Sequence, residues 1–148
     1  NRLCFESERL AIQKQTQETI NSLEKAIQLN PDNSTALCLL GGILNEQNNS
    51  ECVSFYEKSL EKNANCYLAF RGLGNFYLKN QQFDKSEKNY THAIEINENR
   101  FGPIYKNRGY VRQQQNKMDD AKQDYRDYIK FTPTAKDRGM IERALNEM

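Results

Sequence analysis

The chain of 148 residues has no tryptophan, one histidine, three prolines and seven glycines. With His92 alone, a serine or cysteine nucleophile has one candidate base, and that base sits in the helix-like run NYTHAIEIN, so hydrolytic triads lack their parts. Cys4, Cys38, Cys52 and Cys66 form no C-x-x-C pair, which leaves a tetrahedral zinc site without sensible ligands. Scarce proline and glycine exclude a disordered or collagen-like chain and a many-turned β-sandwich. No apolar run approaches the roughly 18 to 20 residues that a membrane span needs. Charge of one sign is also missing: 21 Lys and Arg against 20 Asp and Glu give a net charge of +1. No global field gathers nucleic acid or anionic lipid. Phosphate-loop motifs are absent, and Gly72 and Gly74 in RGLGN lie inside a helical pattern. The cysteines read as small packing residues and free thiols in a reducing compartment, because a helical chain of this length has a core of its own. The sequence opens at Asn1 without Met or a basic-then-apolar leader, so the expectation is no signal peptide and a piece cut from a longer protein.

What is present is a period. The segments NSLEKAIQLNPDN, SFYEKSLEKNANC, KNYTHAIEINENR and QDYRDYIKFTPTA begin at Asn21, Ser54, Lys88 and Gln123, spaced by 33, 34 and 35 residues. Leu23, Tyr56, Tyr90 and Tyr125 fall in one column, and Ala26, Ser59, Ala93 and Tyr128 in another. Thr19, Cys52, Ser86 and Ala121 form a third, and Ser7, Gly41, Gly74 and Gly109 a fourth, each a few residues after Leu3, Leu37, Phe70 and Tyr105. Small residues in such columns let helices approach while tyrosines and leucines fill the holes beside them. Apolar spacing of three and four predicts helices at about 2–14, 17–29, 34–47, 51–62, 66–79, 83–96, 103–115, 118–130 and 135–147. Polar turns are expected at Lys14 to Gln17, Gln47 to Ser50, Asn80 to Gln82 and Gln114 to Lys117, with Pro31 and Pro133 stopping two helices. Asp119 and Asp120 suit the start of a helix, where its dipole favours carboxylates. Met140, Ile141, Ala144, Leu145 and Met148 are expected on the packed side of a final capping helix that ends the array. A tyrosine at 128, in a column of small residues, predicts looser packing against that cap.

The run Phe70-x-x-Leu73-Gly74-x-x-Tyr77 followed by Ser86, Tyr90 and Ala93, with Pro31 and Pro133 as terminal prolines, resembles the tetratricopeptide repeat family over about residues 1–135. Glu6 and Ser7 depart from the usual Leu-Gly, and Tyr128 from the usual small residue. The resemblance implies an all-α fold, a right-handed α-solenoid of four tetratricopeptide helix-turn-helix repeats plus a C-terminal capping helix. The repeats run over about 1–33, 34–66, 67–101 and 102–135, with the cap at 135–148, as one domain over 1–148.

The same resemblance implies a cytoplasmic, non-catalytic protein-interaction module without a cofactor, whose partner is a protein or peptide held in a concave groove. First helices of the third and fourth units line that groove in this family, placing Arg71, Asn75 and Lys79 beside Lys106, Asn107 and Tyr110. Helical spacing agrees: Arg71, Asn75 and Lys79 are four apart and share a face opposite Leu73 and Phe76. Such cations and amides complement an acidic segment or a terminal carboxylate. Arg71-Gly-Leu-Gly-Asn75 with Tyr105-Lys-Asn107-Arg108-Gly looks like the carboxylate clamp of tetratricopeptide co-chaperones. Arg71 stands where lysine is usual, and the third helix offers Asp137 and Ile141 where the clamp has a basic pair. Three other readings stand beside the groove: a docking or regulatory arm of a larger enzyme, self-association through the N-terminal end, and RNA binding by Arg100, Phe101, Tyr105, Lys106, Arg108, Tyr110 and Arg112. Balanced charge and the core spacing of those aromatics weigh against nucleic acid, and the lack of an apolar span against membrane insertion.

Overall fold

Wherever apolar residues recur at three and four, the chain is helical in the computed structural model, which describes residues 2–96 and 102–148 and, within them, all side chains but those of 2–5, 7 and 8. The expectations resting on Arg100 and Phe101 lie outside the described residues, and those resting on Leu3, Cys4 and Ser7 outside the described side chains. Among the described residues there are eight helices and no strand. These are α1 (Arg2–Leu29), α2 (Ser34–Glu46), α3 (Cys52–Lys62), α4 (Tyr67–Lys79), α5 (Phe83–Ile96), α6 (Gly102–Gln114), α7 (Met118–Phe131) and α8 (Arg138–Glu147). Asn33 caps α2, its side-chain oxygen accepting from the Ala36 amide at 3.0 Å. Pro31 and Pro133 follow the ends of α1 and α7, and Asp119 and Asp120 lie in the first turn of α7.

Three turns repeat one geometry. Asn48, Gln81 and Asn116 adopt φ of 57°, 56° and 59°. The next amide in each case closes a six-residue loop, Asn49 to Leu44 at 2.9 Å, Gln82 to Tyr77 at 2.9 Å and Lys117 to Arg112 at 2.8 Å. This is the left-handed helix end that reverses the chain. The turn expected at Lys14 to Gln17 does not form, and α1 runs straight through it. In the register of the repeats Lys14 stands where Asn48, Gln81 and Asn116 turn, and a left-handed lysine costs about 1–2 kcal/mol. Gln81 accepts that cost inside a hairpin closed by Gly74 and Tyr90. The first unit has Ser7 and Leu23 in those two places, so the straight helix wins.

The chain divides into two compact units, Asn1–Ala64 and Asn65–Met148. In the first, α1 packs on α2 and α2 on α3, around Ala36, Leu37, Leu40, Cys52 and Tyr56. Leu10 and Ile12 on α1 are each 64% exposed. In the second, consecutive helices from α4 to α8 pack pairwise. Tyr90, Ala93, Ile104 and Val111 form one core cluster, and Ala121, Tyr125, Tyr128 and Ile141 another.

The column of small residues is buried at Cys52, Ser86 and Ala121, and a glycine meets a tyrosine ring in every hairpin. A Cβ on Gly74 would lie 2.6 Å from the Tyr90 ring, on Gly41 3.0 Å from Tyr56 and on Gly109 3.1 Å from Tyr125. At the cap one expectation holds and one is corrected. Tyr128 is itself buried, with its hydroxyl donating to Asp137 just before α8, while α7 and α8 touch over far fewer residues than the helices of a hairpin do, the looser contact that the bulky residue predicts. Met140 is 60% exposed, because α8 begins at Arg138 and turns Ile141, Leu145 and Met148 toward the core instead.

These contacts separate two glycines that look alike in sequence. Gly74→Ala should destabilise by about 1–3 kcal/mol despite alanine's helix propensity, because the added methyl enters the Tyr90 ring. Apart from its chain neighbours and its own helix backbone, Gly139 has no atom within 4 Å of its would-be Cβ, so Gly139→Ala should stabilise by roughly 0.4–1 kcal/mol. Urea denaturation of both variants checks this, and equal effects would contradict the packing described.

Candidate functional site

On α4 the inward residues Ala69, Gly72 and Leu73 turn Arg71, Asn75 and Lys79 onto a less buried face. On α6, Ile104, Gly109 and Val111 are buried and leave Lys106, Asn107 and Tyr110 toward the surface. The two asparagines come together, with Asn107 Nδ2 3.5 Å from Asn75 Oδ1. Tyr90, on the intervening α5, donates its hydroxyl to the same Asn75 oxygen at 2.6 Å. Burial pushes the Tyr90 phenol up, against the hydrogen bonds of Asn107 and Ser86 and the charge of Arg71 that favour its anion, so it is a neutral donor. Asn75 is thereby oriented from beneath by a rigid ring that also packs on Gly74. Arg71 lies over the Tyr67 ring with its guanidinium carbon 5.7 Å from the centroid, and Lys79 is exposed in the last turn of α4. Tyr110 is 47% exposed.

Lys106 is engaged differently from Arg71, its counterpart one repeat earlier. Its Nζ lies 2.8 Å from Asp137 Oδ2 and 5.2 Å from the centre of the Tyr128 ring, while the Tyr128 hydroxyl donates to Asp137 Oδ1 at 2.5 Å. Hydrogen bonds from Lys106 and Tyr128 hold the Asp137 carboxyl below the usual carboxylate range. Burial, together with that carboxylate, pushes the Tyr128 phenol up to about 12.

A second set of charges turns inward. Asp124 on α7 is 1% exposed and accepts from Arg108 Nη2 at 2.7 Å, Arg108 Nε at 3.0 Å and Arg112 Nη1 at 3.0 Å. Arg108 also donates to Thr91, and Arg112 to Glu87, which Lys117 reaches as well. The network ties α5, α6 and α7 together, and it commits Arg108 and Arg112 to carboxylates instead of an open basic patch. Sequence reasoning passed over Asp124 and the supporting role of Tyr90. The signal for Asp124 was its place three residues after Ala121 on the apolar face of its helix, which demands a buried partner. His92 is half-exposed against Phe70, with Nδ1 3.3 Å from Glu95. Among the described residues no three His, Cys, Asp or Glu side chains cluster as a metal site, and no helix is long and apolar enough to cross a membrane.

Comparison with known proteins gives the family its first direct support. A tetratricopeptide repeat family model matches residues 72–100. The chain is 31% identical over 98 residues to anaphase-promoting complex subunit 3 of Schizosaccharomyces pombe, covering 65% of this chain and 15% of that protein. It thus spans about 15% of the length of the curated relative it matches. The crystal structure of MamA superposes with a TM-score of 0.75 at 16% identity, over 94% of this chain and 85% of that one. The tetratricopeptide domain of Arabidopsis OM64 gives 0.70 at 20% identity, over 77% and 94%. At these identities the structural likeness shows the fold, an all-α helical-repeat architecture.

The inward network has a measurable acid signature. Burial pushes Glu87 up, but hydrogen bonds and charge from Lys117 and Arg112 outweigh it and hold the carboxyl below its ordinary 4.5. A carboxyl lowered by folding contributes stability that is present above its unfolded pKa and is lost as pH falls through the folded one. Glu87→Gln should therefore flatten the loss of stability as pH falls below the ordinary 4.5 of this carboxyl, relative to wild type, read by urea midpoints. Identical acid profiles would show that the Glu87 pairs contribute nothing.

Proposed function

We propose that this chain, a member of the tetratricopeptide repeat family, is a non-catalytic protein-interaction module that takes an acidic segment of a partner on the α4 and α6 face of its second unit. The observation that carries the reading is the Asn75 and Asn107 pair, oriented by Tyr90 and flanked by Arg71, Lys79 and Lys106. Side-chain amides offer hydrogen bonds to a partner's main chain, and the cations select carboxylates along it. Because Tyr90 fixes the pair before any partner arrives, binding orders little of the module itself and the contacts translate into affinity. The partner is a protein segment, the setting cytoplasmic and the module free of cofactor.

Two sources of carboxylate suit this face, an internal acidic run and a chain terminus. The two helical turns between Arg71 and Lys79 favour the internal run, since a terminal clamp needs its cations converged on one carboxylate. A second reading, a docking arm within a larger protein, is favoured by the length of the relative named for a subunit of a complex, of which this chain matches 15%. The two readings are compatible, since an arm also binds by a surface.

A hydrogen bond to a charged group contributes about 1.5–3 kcal/mol, so Arg71→Glu and Lys79→Glu should each weaken capture of an acidic peptide tenfold or more. Helical circular dichroism should stay unchanged, and wild-type affinity should fall as salt rises. Amidating the peptide's C-terminus should leave affinity unaltered, whereas a large loss would show that the terminus is what binds. Normal binding by both charge reversals would place the contact elsewhere.

A further inference from the structure

We infer that Asp137 is an internal ligand of this surface, a carboxylate of the chain itself that occupies Lys106 until an acidic partner segment takes its place. The inference rests on the acidic-segment reading above. Both Asp137 oxygens are held by donors from other helices, Oδ2 by Lys106 of α6 at 2.8 Å and Oδ1 by the Tyr128 hydroxyl of α7 at 2.5 Å. Together with the Tyr128 ring under the ammonium, these donors make a receptor for one carboxylate. Asp137 directly precedes α8, where an aspartate ordinarily accepts from its own helix's first amides, and it makes no such bond. Its carboxylate is spent on α6 and α7 instead.

Exposure distinguishes this pair from the structural one nearby. Arg108 and Asp124 have side chains 11% and 1% exposed, a sealed pair whose separation would strand a buried charge. Lys106 and Asp137 are 37% and 25% exposed, so solvent, and a partner, reach the contact. A partner glutamate or aspartate presents the same two acceptors to the same two donors. Asp137 is tethered, however, and competes at an effective concentration on the order of millimolar. A lone carboxylate loses that competition. A segment with several acidic residues, anchored at the same time by Arg71 and Lys79, wins it, so Asp137 makes the surface selective for acidic runs over single carboxylates.

The probe is a fluorescently labelled, acetylated pentaglutamate peptide, titrated by anisotropy into wild type, Asp137→Asn, Asp137→Ser, Lys106→Met and the Lys106→Met, Asp137→Asn double variant. Serine keeps the capacity to cap α8 while removing the charge, so it stands in if the asparagine variant fails to fold. Each single Asp137 variant should bind about fivefold tighter or more than wild type, and the double variant should gain nothing over Lys106→Met. Folded Asp137 variants that bind the peptide no tighter than wild type, while Arg71→Glu still weakens it, overturn the inference and leave the acidic-segment reading standing. If wild type and every variant bind pentaglutamate no better than a neutral peptide of the same length, both fall together.

Discussion

A glycine backbone pressed against a tyrosine ring holds each helical hairpin closed, and the rest of the molecule is arranged around that contact. Gly41 with Tyr56, Gly74 with Tyr90 and Gly109 with Tyr125 leave no room for a Cβ without displacing an aromatic ring. The close approach buries the ring and lets the turn beyond it absorb a left-handed residue, even the poorly suited Gln81. The first unit, without either partner, has one straight helix in place of a hairpin. In the third unit the same tyrosine continues outward and ends on Asn75, so the interaction that closes the hairpin also sets the geometry of the proposed binding face.

Charge is sorted by depth. The chain is nearly neutral, and its electrostatics are local. Asp124 is desolvated beneath Arg108 and Arg112, and a buried carboxylate of that kind needs every one of its donors, which fixes how α6 and α7 meet. The pair between Lys106 and Asp137 sits at the rim, where water lowers its worth and makes it exchangeable. Arginines one turn apart on a single helix therefore serve the interior, while a lysine on another face of that helix serves the surface. A count of basic residues along α6 does not separate these roles.

Much of this was legible in the chain itself. The repeat spacing placed α2 to α7 and their three turns, because period and small-residue columns reflect constraints that each hairpin meets alone. The straight α1 was not legible from hydrophobic spacing, which continues through Lys14 to Gln17 whether or not the helix bends. It follows only from the missing glycine and tyrosine. The volume of Tyr128 says nothing of the direction of its hydroxyl, which finds Asp137 nine residues on. The pairing of Asn75 with Asn107 was anticipated from register, whereas the Tyr90 hydroxyl beneath them depends on a rotamer that no spacing encodes.

The central claim is that two amides on neighbouring helices, held from below by Tyr90, receive an acidic segment. The most direct measurement is a nitrogen-15 correlation spectrum of the intact chain titrated with the pentaglutamate peptide, following the side-chain amides of asparagine. Those of Asn75 and Asn107 should shift together and saturate at one peptide concentration, while those of Asn49 and Asn116 in the turns stay in place. Shifts confined to the turns or to α1, with Asn75 and Asn107 unmoved, would contradict it.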